Sequence, residues 1–434
     1  MTLHTRHTRL LVTASVLVSC TVVFVLGVAP GASPQGRGAA ASPGKTWVTA
    51  WGTSQQALAD TRMTNATVRM IARVTIPGDA IRIRLDNTFG VEPVRIGRAS
   101  VGLRIQGAAL AAGSNRPLSF NGASEVAIPA GGSVWSDPVG LTVFAQQDLA
   151  VSLYVPGANV RPSQHTAAAV TSYRSADGSG DVSSEEGRAP FAMTTTSLWW
   201  VKAIDVESAS SPGGIVAFGD SITDGTCSTL DAHDRWEDVF SLRLAFQQET
   251  GPGRVGGRRE DLKAVVNEGI GGNTITREGL MPPPDSTPGV ERFDRDVLSH
   301  HGVTDVVLFM GTNDIRRGAP AAQVIAGMTS IAQRIKAKGL RAVGVTIIPR
   351  HNVAPNGTNT GWNADKTRIR NDVNEWIRTK APFDAVIDFD KVVRDPANPD
   401  LMSPPFNCGD GIHPSPSGYF AMGASVDLGL FRKK

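Results

Sequence analysis

Ile215-Val216-Ala217-Phe218-Gly219-Asp220-Ser221-Ile222-Thr223-Asp224-Gly225 is the stretch on which the fold turns. A short apolar run ends in a glycine-flanked turn that displays a serine, the form of a buried strand running into a functional loop. Three later fragments answer it: Asn267-Glu268-Gly269-Ile270-Gly271-Gly272-Asn273-Thr274, then Met310-Gly311-Thr312-Asn313-Asp314, then Gly409-Asp410-Gly411-Ile412-His413-Pro414. Together they offer a nucleophile, two hydrogen-bond donors for an oxyanion, and an Asp-His pair as orienter and base, a full set for acyl transfer. Gly-Asp-Ser alone occurs often by chance. Four fragments in this order, at strand ends or on loops, do not.

These fragments resemble the GDSL-like esterases and lipases of the SGNH-hydrolase family, over about residues 213–434. The resemblance implies that Ser221 is the nucleophile, Gly272 and Asn313 are oxyanion donors beside the Ser221 N–H, and Asp410 with His413 completes the catalytic set. It implies a flavodoxin-like three-layer α/β domain and an ester hydrolase without metal or organic cofactor. It does not choose a substrate. Short-chain, aryl and carbohydrate-linked esters are expected, because no long apolar lid is present; longer-chain lipids are the alternative. Each residue also has a plainer use: Ser221 or Asn313 as a helix cap, Gly272 as a turn beside the true donor, a backbone carbonyl in place of Asp410. Thr223 stands where Gly-x-Ser-x-Gly would need its last glycine, which argues against an α/β-hydrolase elbow.

The texture around these fragments supports a parallel sheet. Apolar strands are expected at 215–218, 264–267, 305–310, 341–347 and 385–388, with helices near 235–249, 320–338, 363–379 and 416–430. Alternating strands and helices imply a sheet covered on both faces. Right-handed crossovers then gather the strand C-termini at one edge. Residues 47–205 read differently. Ile81-Arg82-Ile83-Arg84-Leu85 and Leu149–Val155 alternate along their length, and Pro-Gly pairs punctuate them. That pattern predicts an antiparallel β-sandwich of jelly-roll type as an accessory domain.

The formal charge of +3 comes from the N-terminus: residues 1–41 hold Arg6, Arg9 and Arg37 and no acid, leaving 40 basic and 40 acidic side chains. A near-neutral remainder carries no footprint for nucleic acid. Arg6 and Arg9 precede the apolar stretch Leu10–Val28, which reads as a secretion signal ending within 1–41. An uncleaved anchor, or lipidation at Cys20, is the alternative. After such a signal, Cys227 and Cys408 remain, each near a catalytic fragment that must converge with the other. They are expected to pair as a disulfide, worth about 5 kcal/mol in the chain-entropy account. Two free thiols are the alternative.

The loops 279–296 and 350–362 are candidates to shape the substrate pocket. Trp47, Trp51, Trp135, Trp199 and Trp200 offer stacking surfaces by which the β half would hold a polysaccharide or cell wall, although core packing is the expected fate of most. His300-His301 lacks metal-ligand spacing. A monomer is expected.

Overall fold

The computed structural model describes residues 44–209, 211–250 and 262–432. The expected signal, with Cys20, lies outside the described residues. Among those described, no helix is long and apolar enough to cross a membrane.

The C-terminal half is built on five parallel strands, Gly214–Gly219, Ala264–Gly269, Val303–Phe309, Arg341–Val345 and Ala385–Ile387. Numbered in chain order they lie 2-1-3-4-5 across the sheet. The helices Trp236–Thr250, Ala321–Ala337, Ala364–Thr379 and Pro416–Ser425 separate or follow them. The fourth strand stops at Val345, two residues short of the expected end. Ile347 instead gives its N–H (2.7 Å) and carbonyl (2.8 Å) to the buried Asn374 side chain. The last helix likewise ends at Ser425, and a separate 3-10 turn covers Leu428–Phe431.

Register is what builds the site. Gly219 pairs with Gly269 on one side and with Phe309 on the other. Three strand ends therefore stop at one level, and the loops bearing Ser221, Gly272 and Asn313 leave side by side.

The N-terminal half is antiparallel throughout. One sheet joins Thr46–Gly52, Val201–Ser208, Gly78–Asp86 and Ser133–Trp135, with Val139–Val143 also on Gly78–Asp86. A second, seven-stranded sheet is centred on Ala66–Val74, Gln147–Val155 and Arg98–Gln106. Ile81, Ile83 and Leu85 are buried in the core, as their alternation requires. The opposite face of that strand meets the other half: Arg84 donates to Ser299 Oγ at 2.7 Å, and Arg82 pairs with Asp205 at 2.8 Å, which also takes His301 at 2.8 Å. Along the seam, Thr49 N–H donates to the His301 carbonyl and Val265 N–H to Thr75 Oγ1, each at 3.0 Å. One apolar cluster runs through both halves, with Val48 and Ala50 in it beside Ile215, Ala217 and Val265. The chain changes texture in the connection between Ser208 and Gly214, but the core does not divide there.

Trp199 and Trp200 are buried, and Trp47, Trp51 and Trp135 are half-buried. Arg82 lies between Trp47 and Trp135, 4.7 and 4.8 Å from their ring centroids. Trp236 and Trp362 are core residues.

Candidate active site

Ser221 is the first residue of a single helical turn, Ser221–Asp224, so its N–H has no intrahelical acceptor. Asp220 caps that turn through Ile222 N–H, at 3.0 Å. Gly219 must be glycine, because a Cβ there would lie 2.1 Å from Thr223 Oγ1 and 2.9 Å from the Phe309 carbonyl oxygen. The turn can close only against a bare backbone.

Ser221 Oγ lies 2.9 Å from His413 Nε2, and His413 Nδ1 lies 2.6 Å from Asp410 Oδ2. The other Asp410 oxygen accepts the N–H groups of Ile412 (2.8 Å) and His413 (2.9 Å). Burial pushes the Asp410 carboxyl up, but the imidazole and these two N–H donors outweigh it and hold it down at about 2. A charged Asp410 fixes the His413 ring with Nε2 facing the serine. Cys227 and Cys408 form a disulfide that ties the Ser221 loop to this one, 181 residues away.

On the opposite wall, Gly271 N–H donates to Asp224 Oδ2 at 2.8 Å. Gly272, at φ +71°, makes no backbone hydrogen bond to another described residue. Of the two glycines, Gly272 is the one whose N–H is available. Asn313 Nδ2 donates to the Asn273 carbonyl at 3.1 Å, which leaves its second N–H. Asp314 clamps the same loop by accepting from the Ile275 (2.9 Å) and Thr276 (3.0 Å) N–H groups, a structural part. A cleft of about 520 Å³ opens over Ser221, Gly272, Asn313, Asp410 and His413. The 350–362 loop supplies Asn356, Thr358, Asn359 and Thr360 to its lining, whereas the 279–296 loop supplies nothing. Arg317 instead holds that segment through the Pro282 and Pro283 carbonyls, each at 2.6 Å.

Several residues here escaped the sequence reading. Asp224, three residues after Ser221, carries no local sign that it accepts the Gly271 N–H across the site. His165, from the β half, sits with Nε2 3.0 Å from Asp224 Oδ1, and no sequence signal marks it. Arg292 reaches the Gly219 carbonyl (2.8 Å) and Asn273 Oδ1 (2.9 Å), and so supports both walls. Arg350 follows a strand end of the parallel sheet, where ligand-facing residues concentrate. His300 and His301 are held by Glu268 (2.6 Å) and Asp205 (2.8 Å) rather than grouped as ligands.

A serine within hydrogen-bond reach of an imidazole, itself oriented by a carboxylate beside free N–H donors, is the equipment of a carboxylic ester hydrolase. Residues 217–421 match the family described as GDSL-like Lipase/Acylhydrolase, and the chain carries a domain of that family. No curated protein matches the chain. Among solved structures, a lipase/acylhydrolase from Enterococcus faecalis is similar at 20% identity, covering 52% of this chain and 98% of its own, with a TM-score of 0.37. A carbohydrate acetylesterase from Sinorhizobium meliloti is similar at 17% identity, covering 49% and 94%, with a TM-score of 0.33. A GDSL-like lipase from Bacteroides thetaiotaomicron is similar at 17% identity, covering 49% and 85%, also at 0.33.

Proposed function

We propose that the protein is a secreted serine esterase that works through an acyl-enzyme on Ser221. His413 Nε2 takes the hydroxyl proton as Oγ bonds to the ester carbonyl carbon. The resulting oxyanion is held by the Gly272 and Ser221 N–H groups and the Asn313 amide. His413 then returns the proton to the departing alcohol, and water repeats the sequence on the acyl group. Asp410 keeps the imidazole in the tautomer each step needs. The observation that carries this reading is the unbroken run of 2.9 and 2.6 Å contacts from Ser221 through His413 to Asp410 at the cleft.

The polar lining from the 350–362 loop supports small or carbohydrate-linked esters over long acyl chains. Export is supported by the Cys227–Cys408 disulfide, which an oxidising compartment preserves. The 2-1-3-4-5 strand order supports the flavodoxin-like reading of the parallel sheet.

The test is initial rates on p-nitrophenyl esters from acetyl to dodecanoyl, with wild type beside Ser221→Ala. Turnover that disappears in the mutant, with an optimum at short chains, is expected. An optimum at long chains would make the protein a lipase, and full activity in the mutant would remove Ser221 as nucleophile.

A further inference from the structure

The cleft over Ser221 holds positive charge that no side chain among the described residues pairs directly. Arg350 is only 5% exposed, yet among the described residues its guanidinium makes one hydrogen bond, from Nη2 to the Thr360 carbonyl at 2.9 Å. It lies over Trp362, 5.5 Å from the ring centroid, and its buried Nε has no partner among the described residues. Arg316, the last residue of the short helix that begins with Thr312 and Asn313, lines the same cleft. Among the described residues it makes no hydrogen bond or ion pair. Lys366 adds a third cation near both, with one Nζ–H donated to the Gly361 carbonyl at 2.6 Å.

The cations disfavour one another. Burial first, then Arg316, brings Arg350 down to about 10, and burial followed by Arg350 and Arg316 lowers Lys366. Two carboxylates face Arg350, and neither is a free counterion. Asp410 is engaged through both oxygens by His413 and Ile412. Asp220 is pushed up to about 7, chiefly by burial, and so is a weak anion. Burying a guanidinium without a partner is costly, and the cost is tolerated where a ligand supplies the missing charge.

We propose that the cleft selects esters that carry a carboxylate, seated between Arg316 and Arg350 while the scissile carbonyl faces Ser221. The inference rests on the esterase reading of the same site and adds the class of substrate. An arginine fork matches the two oxygens of a carboxylate, and a neutral analogue leaves that fork unpaired.

Two matched pairs place the charge on either side of the ester. Mono-p-nitrophenyl succinate is compared with its methyl ester, and 4-acetoxybenzoate with methyl 4-acetoxybenzoate. Each kcat/KM is divided by the compound's own alkaline hydrolysis rate. The charged member of at least one pair is expected to be preferred about tenfold or more, and the responding pair tells whether the acyl or the alcohol part carries the anion. Arg316→Gln should bring that ratio towards one, and Arg350→Gln should do the same if it folds. Because Arg316 is half-exposed, its variant keeps the test intact; a thermal melt checks it. No preference in either pair, or a preference unchanged in Arg316→Gln, overturns the proposal. Turnover of p-nitrophenyl acetate without turnover of the charged esters overturns it as well. If p-nitrophenyl acetate is inert and a fluorophosphonate leaves Ser221 unlabelled, the esterase reading itself falls, and this inference with it.

Discussion

Asn313 has one amide and two tasks. It holds the Asn273 carbonyl and, in the proposed mechanism, donates to the oxyanion. Asn313→Ala should therefore lower kcat on p-nitrophenyl acetate by about a hundred- to a thousandfold with little change in KM, while the melt shows a folded protein. Retained turnover would take Asn313 out of the oxyanion hole. Asp220 makes a different argument, one of stability. Burial, reinforced by the nearby Asp314, raises its carboxyl from 3.8 to about 7, against the pull of the Ile222 N–H. The folded protein thus holds this proton more tightly than the unfolded chain does. The contribution to stability is full below about pH 4 and is lost as pH rises through about 7, each unit of that span being worth about 1.4 kcal/mol. Asp220→Asn keeps an acceptor for Ile222 N–H and removes the titration. It should raise Tm relative to wild type at pH 8 and leave it unchanged near pH 4. Equal gains at both would show that the charge is not the cause.

Between elements, the second glycine loop is set by how closely it approaches the serine turn. A Cβ on Gly269 would lie 2.2 Å from the Asp224 nitrogen and 2.7 Å from its Cα, backbone that cannot swing aside. A Cβ on Gly272 meets nothing within 4 Å, and its cost is the left-handed φ of +71°. Gly272→Ala should lose about 1–2 kcal/mol of stability and keep its N–H donor. Gly269→Ala should lose more stability and most of its turnover, since it parts the two loops that frame the oxyanion. Chemical denaturation with kcat on both variants checks the order; a reversed order would mean that Gly272 is held by contacts beyond its backbone. This level of the structure was also the most legible. Strands buried on both faces appear as bare apolar runs such as Ile215–Phe218, and glycines mark where they stop. Ser221, Gly272 and Asn313 stand out because each follows such a stop, and Asp410 with His413 stands out as an acid-imidazole pair in a Gly/Pro-rich loop. Asp224, His165 and Arg292 do not, since Asp224 acts on Gly271, His165 on Asp224 and Arg292 on Gly219, tertiary contacts that no local pattern encodes. The Arg82 and Arg84 face of the β half shows the same limit: alternation reveals that two faces differ, and only tertiary structure reveals what covers the polar one.

At the scale of the whole molecule, the β half reaches into the catalytic half through buried charge. Lys202, 1% exposed, donates to Glu268 Oε2 at 2.8 Å and Asp296 Oδ1 at 3.0 Å. Ser54 Oγ donates to Glu268 Oε2 and accepts from Arg292 Nη1 at 2.9 Å. Burial pushes both carboxyls up, but Lys202 with His300 and the neighbouring arginines holds Glu268 and Asp296 below the ordinary carboxylate range. The same Arg292 bonds the Gly219 carbonyl before the serine turn and Asn273 after Gly272. Removing Lys202 leaves two buried carboxylates with less positive charge than they need, a loss of about 3–5 kcal/mol for a broken buried pair. Lys202→Met should therefore lower the urea midpoint by that equivalent and also lower kcat, because Arg292 is drawn towards the uncompensated acids and away from the two loops. A mutation that only weakened packing would lower the midpoint and leave kcat intact below the transition. The contrast separates the two roles: a fallen kcat in fully folded Lys202→Met makes the β half part of the catalytic frame, and an unaltered kcat makes it a stabilising neighbour. The shared core makes a further demand. Val48, Ala50 and Thr75 pack or bond against the strand Ala264–Gly269, so a chain cut at the connection after Ser208 should yield a catalytic half that aggregates rather than a smaller esterase.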